Sequence, residues 1–218
     1  MRRTQAQRLA ETRAKIIAAT IEYIDEQGFH QASLNRVAQA AQLTVGAVQH
    51  HFANKNELLT AVAKDSFRQL ADNLAECKFT GGSIKSRINL FIDASWEYCN
   101  SSRYQSGLQI LLGMRDETWG NFETWLKATL GTRMKGAFEL WRNVFADVDM
   151  KKKERLDTLM YIFSSLTGTA LLYRISQDPN RVTSDLCELK RLLLLRFDDC
   201  QSRTRRKSGR PASVQGER

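Results

Sequence analysis

Residues 33 to 55, SLNRVAQAAQLTVGAVQHHFANK, limit the possible folds of this chain more than any other stretch. Leu34, Val37 and Ala38 form an apolar i, i+3, i+4 stripe. Val45, Val48 and Phe52 form a second stripe after a break at Gln42-Leu43-Thr44. Two short amphipathic helices joined by a tight turn are expected. Thr44 has the chemistry of an N-cap, because its hydroxyl can accept from an early amide of the following helix. Gly46 and Ala47 follow, so nothing bulky stands in the first turn of that helix. In a helix-turn-helix the second helix enters the major groove N-terminus first, and small residues there permit close approach to DNA.

Helices are expected almost throughout. Only Pro179 and Pro211 interrupt 218 residues, and no Val/Ile/Thr alternation marks a strand. A first helix is expected over 8–27, with Ile16, Ile17, Thr20, Ile21 and Ile24 on its apolar face and Gly28 as a left-handed terminator. Ser33 caps the helix at 34–41 and Thr44 the helix at 45–51. Asn54 and Glu57 have capping-box spacing before a helix at about 55–77. Thr80-Gly81-Gly82-Ser83 is the clearest breaker and marks a domain boundary. Beyond it, helices are expected at about 84–101, 104–115, 119–146, 150–177 and 182–200, with Thr183 a cap candidate for the last. The fold class is therefore all-α with about nine helices. Residues 1–55 form a three-helix DNA-binding domain, 56–200 form a larger helical domain entered through the connector 55–77, and 201–218 form a basic tail. With Val214 and Ala212 its only aliphatic residues, that tail is expected to be disordered. It either adds non-specific DNA affinity or is inert.

The charge is uneven. Residues 1–55 carry seven basic and four acidic side chains, and 201–218 carry six and one. The net +9 thus lies mostly at the two ends, beside the helix-turn-helix and in the tail, where it would attract a polyanion. Cys77, Cys99, Cys187 and Cys200 include no CxxC pair, so no metal site and no cofactor is expected. MRRTQAQRLAETR lacks the apolar core of a secretory signal, and the longest apolar runs are far too short for a bilayer, so a reducing cytoplasm is expected. No HExxH, Gly-rich phosphate loop or Ser/His/Asp set is present, and no catalytic residue is assigned. His30, His50 and His51 all fall in the DNA-binding part.

Residues 8–60 resemble the DNA-binding domain of the tetracycline-repressor (TetR) family of bacterial regulators. The matching features are Ile16-Ile17-Ala18-Ala19, Gly28-Phe29, Val37-Ala38 with Ala41, Thr44-Val45-Gly46-Ala47-Val48, His51-Phe52, and Lys55 with Glu57-Leu58-Leu59. The resemblance covers about a quarter of the chain. It implies an all-helical homodimer with a divergent C-terminal ligand domain, usually a repressor released from its operator by a small molecule. The family usually has an aromatic residue, most often tyrosine, just before the His-Phe pair; here Gln49 and His50 fill that stretch.

Thr44, Gly46, Gln49 and His50 are expected on the exposed side of the second helix of the motif. Gln49 either binds phosphate or reads an adenine edge. Val45 and Ala47 either touch a thymine methyl or, for Val45, pack inward. Ser33, Arg36 and Lys55 are candidate phosphate contacts, and Arg2, Arg3 and Arg8 could reach a neighbouring minor groove. Beyond the boundary, Trp96, Trp119, Trp125 and Trp141 with Phe91, Met114, Phe122, Phe138 and Tyr161 either pack as core or line an apolar pocket for a small-molecule effector. Glu97, Asp116, Glu117 and Glu123 lie among them and would suit a lipophilic cation; an acyl chain or a planar neutral compound is the alternative. The helices at about 150–177 and 182–200 carry more apolar surface than one monomer can bury, which points to a two-fold partner.

Overall fold

The computed structural model describes residues 4–77, 79, 81–114 and 138–207, and every regular element among them is helical. The helices are α1 (Gln5–Gln27), α2 (Leu34–Ala40), α3 (Val45–His51), α4 (Lys55–Glu76), α5 (Ile84–Cys99), α6 (Ser102–Gly113), α7 (Lys152–Ser176) and α8 (Pro179–Lys207). A 3-10 turn covers Phe29–Gln31, and residues 138–144 form a further helical stretch. None of the described helices is long and apolar enough to cross a membrane. Contacts divide the chain into two units. The first runs to Asp72 and includes α6; the second holds 73–99 and the described residues from 138 onward.

The first unit is built on the expected stripes. Ile16, Ile17, Thr20, Ile21 and Ile24 of α1 are all buried, as are Val37 and Ala38 of α2, Val48 of α3, and Phe52, Leu58, Leu59 and Val62. Fully burying one such aliphatic side chain is worth about 1.5–3 kcal/mol. Helix α1 starts three residues earlier than the apolar pattern indicates, because Thr4 and Gln7 form a capping box.

Its end also differs from expectation. Gly28 has φ 83° and ψ 155°, outside the left-handed helical region and in a region essentially confined to glycine. A Cβ there would meet no atom within 4 Å, so any cost of substitution lies in the backbone alone. Gly28→Ala is expected to lower stability by about 1–3 kcal/mol. Thermal unfolding of the two proteins checks this, and equal midpoints would refute it.

Helix α6 follows the sequence breaker yet packs against α1 in the first unit. Small residues allow the approach. Ser106 Oγ donates to the Ile21 carbonyl at 3.1 Å and Ser102 Oγ to Asp25 Oδ2 at 2.5 Å. Arg103 pairs with Asp65, and Tyr104 meets the Phe67 ring edge-on at 5.7 Å. A Cβ on Gly107 would lie 2.7 Å from Ser66 Cβ, and one on Gly113 2.3 Å from the Phe29 ring. The buried face of α6 is therefore Tyr104, Gln105, Ser106, Gly107, Ile110 and Leu111, whereas Leu112 is exposed.

The second unit has an aromatic nucleus. Trp141 lies 5.0 Å from Phe91, 4.4 Å from Phe145 and 5.8 Å from Phe197, ring centre to ring centre. Phe79 adds a further contact to Phe91 at 5.9 Å. Two arginines fasten the segment that follows residues 138–144. Arg155, buried, donates from Nε to the Met150 carbonyl at 3.1 Å, from Nη1 to Phe145 at 2.9 Å and from Nη2 to Val148. Arg87 donates from Nη1 to the Val144 carbonyl at 2.7 Å and pairs with both carboxylate oxygens of Asp147. Its hydrogen bonds hold the Asp147 carboxyl below the usual carboxylate range. Cations suit the C-terminal end of a helix, and here they add to main-chain bonds: the Phe145 and Val148 carbonyls also accept from the Val148 and Met150 amides, at 3.1 and 2.9 Å.

Helix α8 begins at Pro179, before the expected start at about 182, and continues seven residues into the segment expected to be disordered. Asp178 rather than Thr183 caps it: Oδ1 accepts from the Asn180 amide at 2.9 Å and the Arg181 amide at 3.4 Å. Proline fits the first helical position, where its missing amide proton is not needed. Thr183 Oγ1 instead donates to the Pro179 carbonyl inside the first turn. At the far end, Cys200 is buried and Arg203 pairs with Asp199 and Glu154, so the helix still has partners past residue 200. Residues 208–218 lie outside the described residues.

Candidate DNA interface

The turn between α2 and α3 is fixed by main-chain hydrogen bonds. Gln42 takes φ 53°, its amide donates to Gln39, and the Leu43 amide donates to Ala38 at 2.9 Å. This is a Schellman motif with glutamine in the position glycine usually takes. Thr44 then caps α3, its Oγ1 accepting from the Ala47 amide at 3.1 Å. Val48 and Phe52 anchor α3 in the core with no exposed surface. Gly46, Gln49 and His50 are consequently exposed along with Thr44, and Val45 and Ala47 are half-buried. A Cβ on Gly46 would meet no protein atom within 4 Å. The fold does not need glycine there.

Ser33 caps α2, accepting from the Arg36 amide at 3.3 Å. The Arg36 side chain is exposed and bound to Gln31 Oε1 at 2.6 Å and Tyr23 Oη at 3.2 Å. Nothing in the local spacing signals Tyr23 or Gln31, because Tyr23 lies 13 residues upstream on another helix. Lys55 Nζ sits 5.3 Å from the centre of the Phe29 ring, a cation–π contact between residues far apart in the chain that no local spacing signals. Asn54 Oδ1 accepts from the Glu57 amide, while Glu57 Oε2 accepts from Ala53 rather than from Asn54, so the capping box at α4 is shifted by one residue. His51 is half-buried, with Arg13 stacked on the adjacent Phe52. Burial, then repulsion from His50 and Arg13, lowers the pKa of its imidazole from the ordinary histidine value. Arg8 is exposed on the first turns of α1; Arg2 and Arg3 lie outside the described residues.

The aromatic residues expected to line a pocket are dispersed. Phe91 and Trp141 belong to the packed nucleus of the second unit, and Met114 is buried in the first. Trp96 is half-buried with its ring edge-on to Tyr173 at 6.4 Å, Phe138 is half-buried, and Tyr161 is exposed. Trp119, Phe122 and Trp125 lie outside the described residues. A groove of about 570 Å³ does occur between α1 and α4, but it is lined by Arg13, Thr60, Lys64 and Asp65 rather than by tryptophans.

Residues 16–62 match the family model described as bacterial regulatory proteins, tetR family. The chain belongs to the TetR family of transcriptional regulators. Its DNA-binding function follows from that membership and from the exposed α3 surface. Among curated relatives, this TetR-family chain is 26% identical over 185 residues to the HTH-type transcriptional regulator CymR of Pseudomonas putida, covering 83% of this chain and 88% of CymR. It is 40% identical over 87 residues to the regulator BetI of Escherichia coli, a match that covers 39% of this chain and less than half, 45%, of BetI. A transcriptional regulator from Rhodococcus sp. RHA1 shares the fold with a TM-score of 0.67 at 17% identity, over 85% of this chain and 97% of that one. FadR from Bacillus subtilis, solved with stearoyl-CoA, gives 0.61 at 17% identity over 83% and 96%.

Proposed function

We propose that this TetR-family chain is a homodimeric repressor that leaves a pseudo-palindromic operator when a small molecule binds its second unit. The reading rests on one observation above all: α3 presents Gly46, Gln49 and His50 to solvent while Val48 and Phe52 lock its other side. Gln49 would read bases there, with Val45 and Ala47 near a thymine methyl and Ser33, Arg36 and Lys55 on phosphates. Dimerisation is supported by apolar side chains left in solvent on α7 and α8. Leu156, Met160, Leu171, Ile175 and Leu195 are all exposed, Ile175 by 82%. A second copy would cover them as an isologous interface. A ligand is supported by two buried polar atoms of the second unit, Ser95 Oγ and Trp141 Nε1, which have no hydrogen-bond partner. Ligand would favour a dimer whose reading heads no longer match the half-site spacing.

A second reading is an effector-free regulator. It is favoured by the close packing of Phe91, Trp141, Phe145 and Phe197, which leaves the described nucleus solid. One experiment separates the two. DNA fragments are selected on the purified protein, and the best is titrated with cationic, planar and acyl compounds, stearoyl-CoA among them, while tryptophan fluorescence is followed. A dimer on a palindromic fragment, released by a compound that also quenches tryptophan saturably, is the expected result. Operator affinity unchanged across the panel would overturn ligand release in favour of the effector-free regulator, and a monomer on DNA would overturn the dimer.

A further inference from the structure

We propose that Tyr23 and Gln31 are positioning residues that hold Arg36 as a preset two-pronged donor for a backbone phosphate of the operator. The inference rests on the DNA-binding function. Arg36 Nη1 carries two hydrogens, and Gln31 Oε1 at 2.6 Å and Tyr23 Oη at 3.2 Å account for both. The Nε and Nη2 hydrogens are left over, and along that edge they form the parallel pair that matches two phosphate oxygens. The partners also matter for what they lack. Arg87, Arg103 and Arg191 each meet a carboxylate, which neutralises them. Arg36 meets a phenol and an amide, so its full charge stays available to a polyanion. Its side chain is exposed, so the two bonds do not bury it.

The geometry favours phosphate over a base edge. Arg36 sits three residues past the Ser33 cap of α2, the first helix of the motif, and that helix crosses the DNA backbone while the second lies in the groove. A free arginine loses rotamer freedom when it binds; one already held by two neighbours loses less, so the contact is stronger for the same atoms. Tyr23 from α1 and Gln31 from the turn after it thus set the geometry of a side chain on a third element.

The test is a double-mutant cycle on a selected DNA fragment, with affinity measured by fluorescence anisotropy at several salt concentrations and folding checked by thermal melts. Arg36→Ala is expected to weaken binding alike on the selected and on unrelated sequences, and to lower the slope of log affinity against log salt by about 0.9. Arg36→Lys should keep the slope yet still lose affinity, because an ammonium cannot bind in two prongs. Tyr23→Phe with Gln31→Met should weaken binding roughly three- to tenfold through lost pre-positioning, with an unchanged melting temperature. The same pair should add no further loss in the Arg36→Ala background. An equal further loss there would overturn the positioning role. A loss on Arg36→Ala confined to one base pair, with an unchanged slope, would overturn the phosphate contact. Absence of any DNA binding by the wild-type chain would overturn the DNA-binding function itself.

Discussion

Replacing Arg155 with methionine is expected to destabilise the second unit by about 3–5 kcal/mol. Methionine keeps much of the apolar stem, so the substitution isolates the guanidinium. Three main-chain carbonyls, those of Phe145, Val148 and Met150, then lose the charged donor at once; Phe145 and Val148 keep the Val148 and Met150 amides, at 3.1 and 2.9 Å, and Met150 loses the guanidinium bond. They belong to the backbone and cannot be exchanged for apolar groups, so the compensation open to a buried side-chain ion pair is closed here. Arg87 cannot take over, because it is committed to Val144 and Asp147. The effect should reach the aromatic nucleus, since Phe145 is both an acceptor for Arg155 and a neighbour of Trp141 at 4.4 Å. Urea unfolding followed by tryptophan fluorescence measures the cost. A loss below about 1 kcal/mol, the size of a single ordinary hydrogen bond, would show that the segment has other support.

The second large effect separates folding from function. Gly46 lies within α3, is exposed, and leaves open space where a side chain would stand. Glycine inside a helix is less stable than alanine by roughly 0.5–1 kcal/mol, so the fold alone would favour another residue. Gly46→Leu is expected to raise the melting temperature slightly. Its side chain would project from the first turn of α3, where the proposed function places the approach to the bases. Binding to the selected fragment should fall by at least the value of one base contact, about 1–3 kcal/mol, or roughly tenfold to a hundredfold. Gel-shift titration alongside a thermal melt provides both readings. Unchanged affinity would move the reading surface away from the start of α3.

These two positions differ in how well the sequence advertises them. The exposure of Gly46 was legible because everything that defines it is local: the Thr44 cap, the stripe of Val48 and Phe52, and the turn before them lie within a dozen residues. The same holds for Ser33 and Asn54, whose side chains bond to amides three residues on. Arg155 was not legible. In the run Lys151-Lys152-Lys153-Glu154-Arg155 it reads as one more solvated charge, and only the packed segment before α7 turns it inward. Asp178 is less conspicuous than Thr183 as a cap because a proline follows it directly, although proline at the first helical position is itself a start signal. The wedge between Lys55 and Phe29 was hidden for a similar reason, since the two lie 26 positions apart on different elements.

The aromatic residues of the second half teach a further point. Their spacing correctly signals burial for Phe91 and Trp141, but burial in a packed nucleus and burial around a ligand look alike in a sequence. Tyr161 shows the converse. Its neighbours in α7 alternate between a buried face of Leu159, Ile162, Leu166 and Ala170 and an exposed one of Met160, Leu171 and Ile175, so an apolar pattern that runs all round a helix does not say which side faces in.

The lodging of α6 against α1 bears on anyone who would graft this reading head onto another sensor. A cut at the glycines 81 and 82 looks natural, and the N-terminal piece would contain every expected DNA contact. It would also carry away the surface that Ser102, Ser106 and Gly107 cover, and leave the Phe29 ring without the helix end at Gly113. The transplantable part of this molecule is discontinuous: a head together with a helix that the chain supplies only later, and a chimera has to bring both.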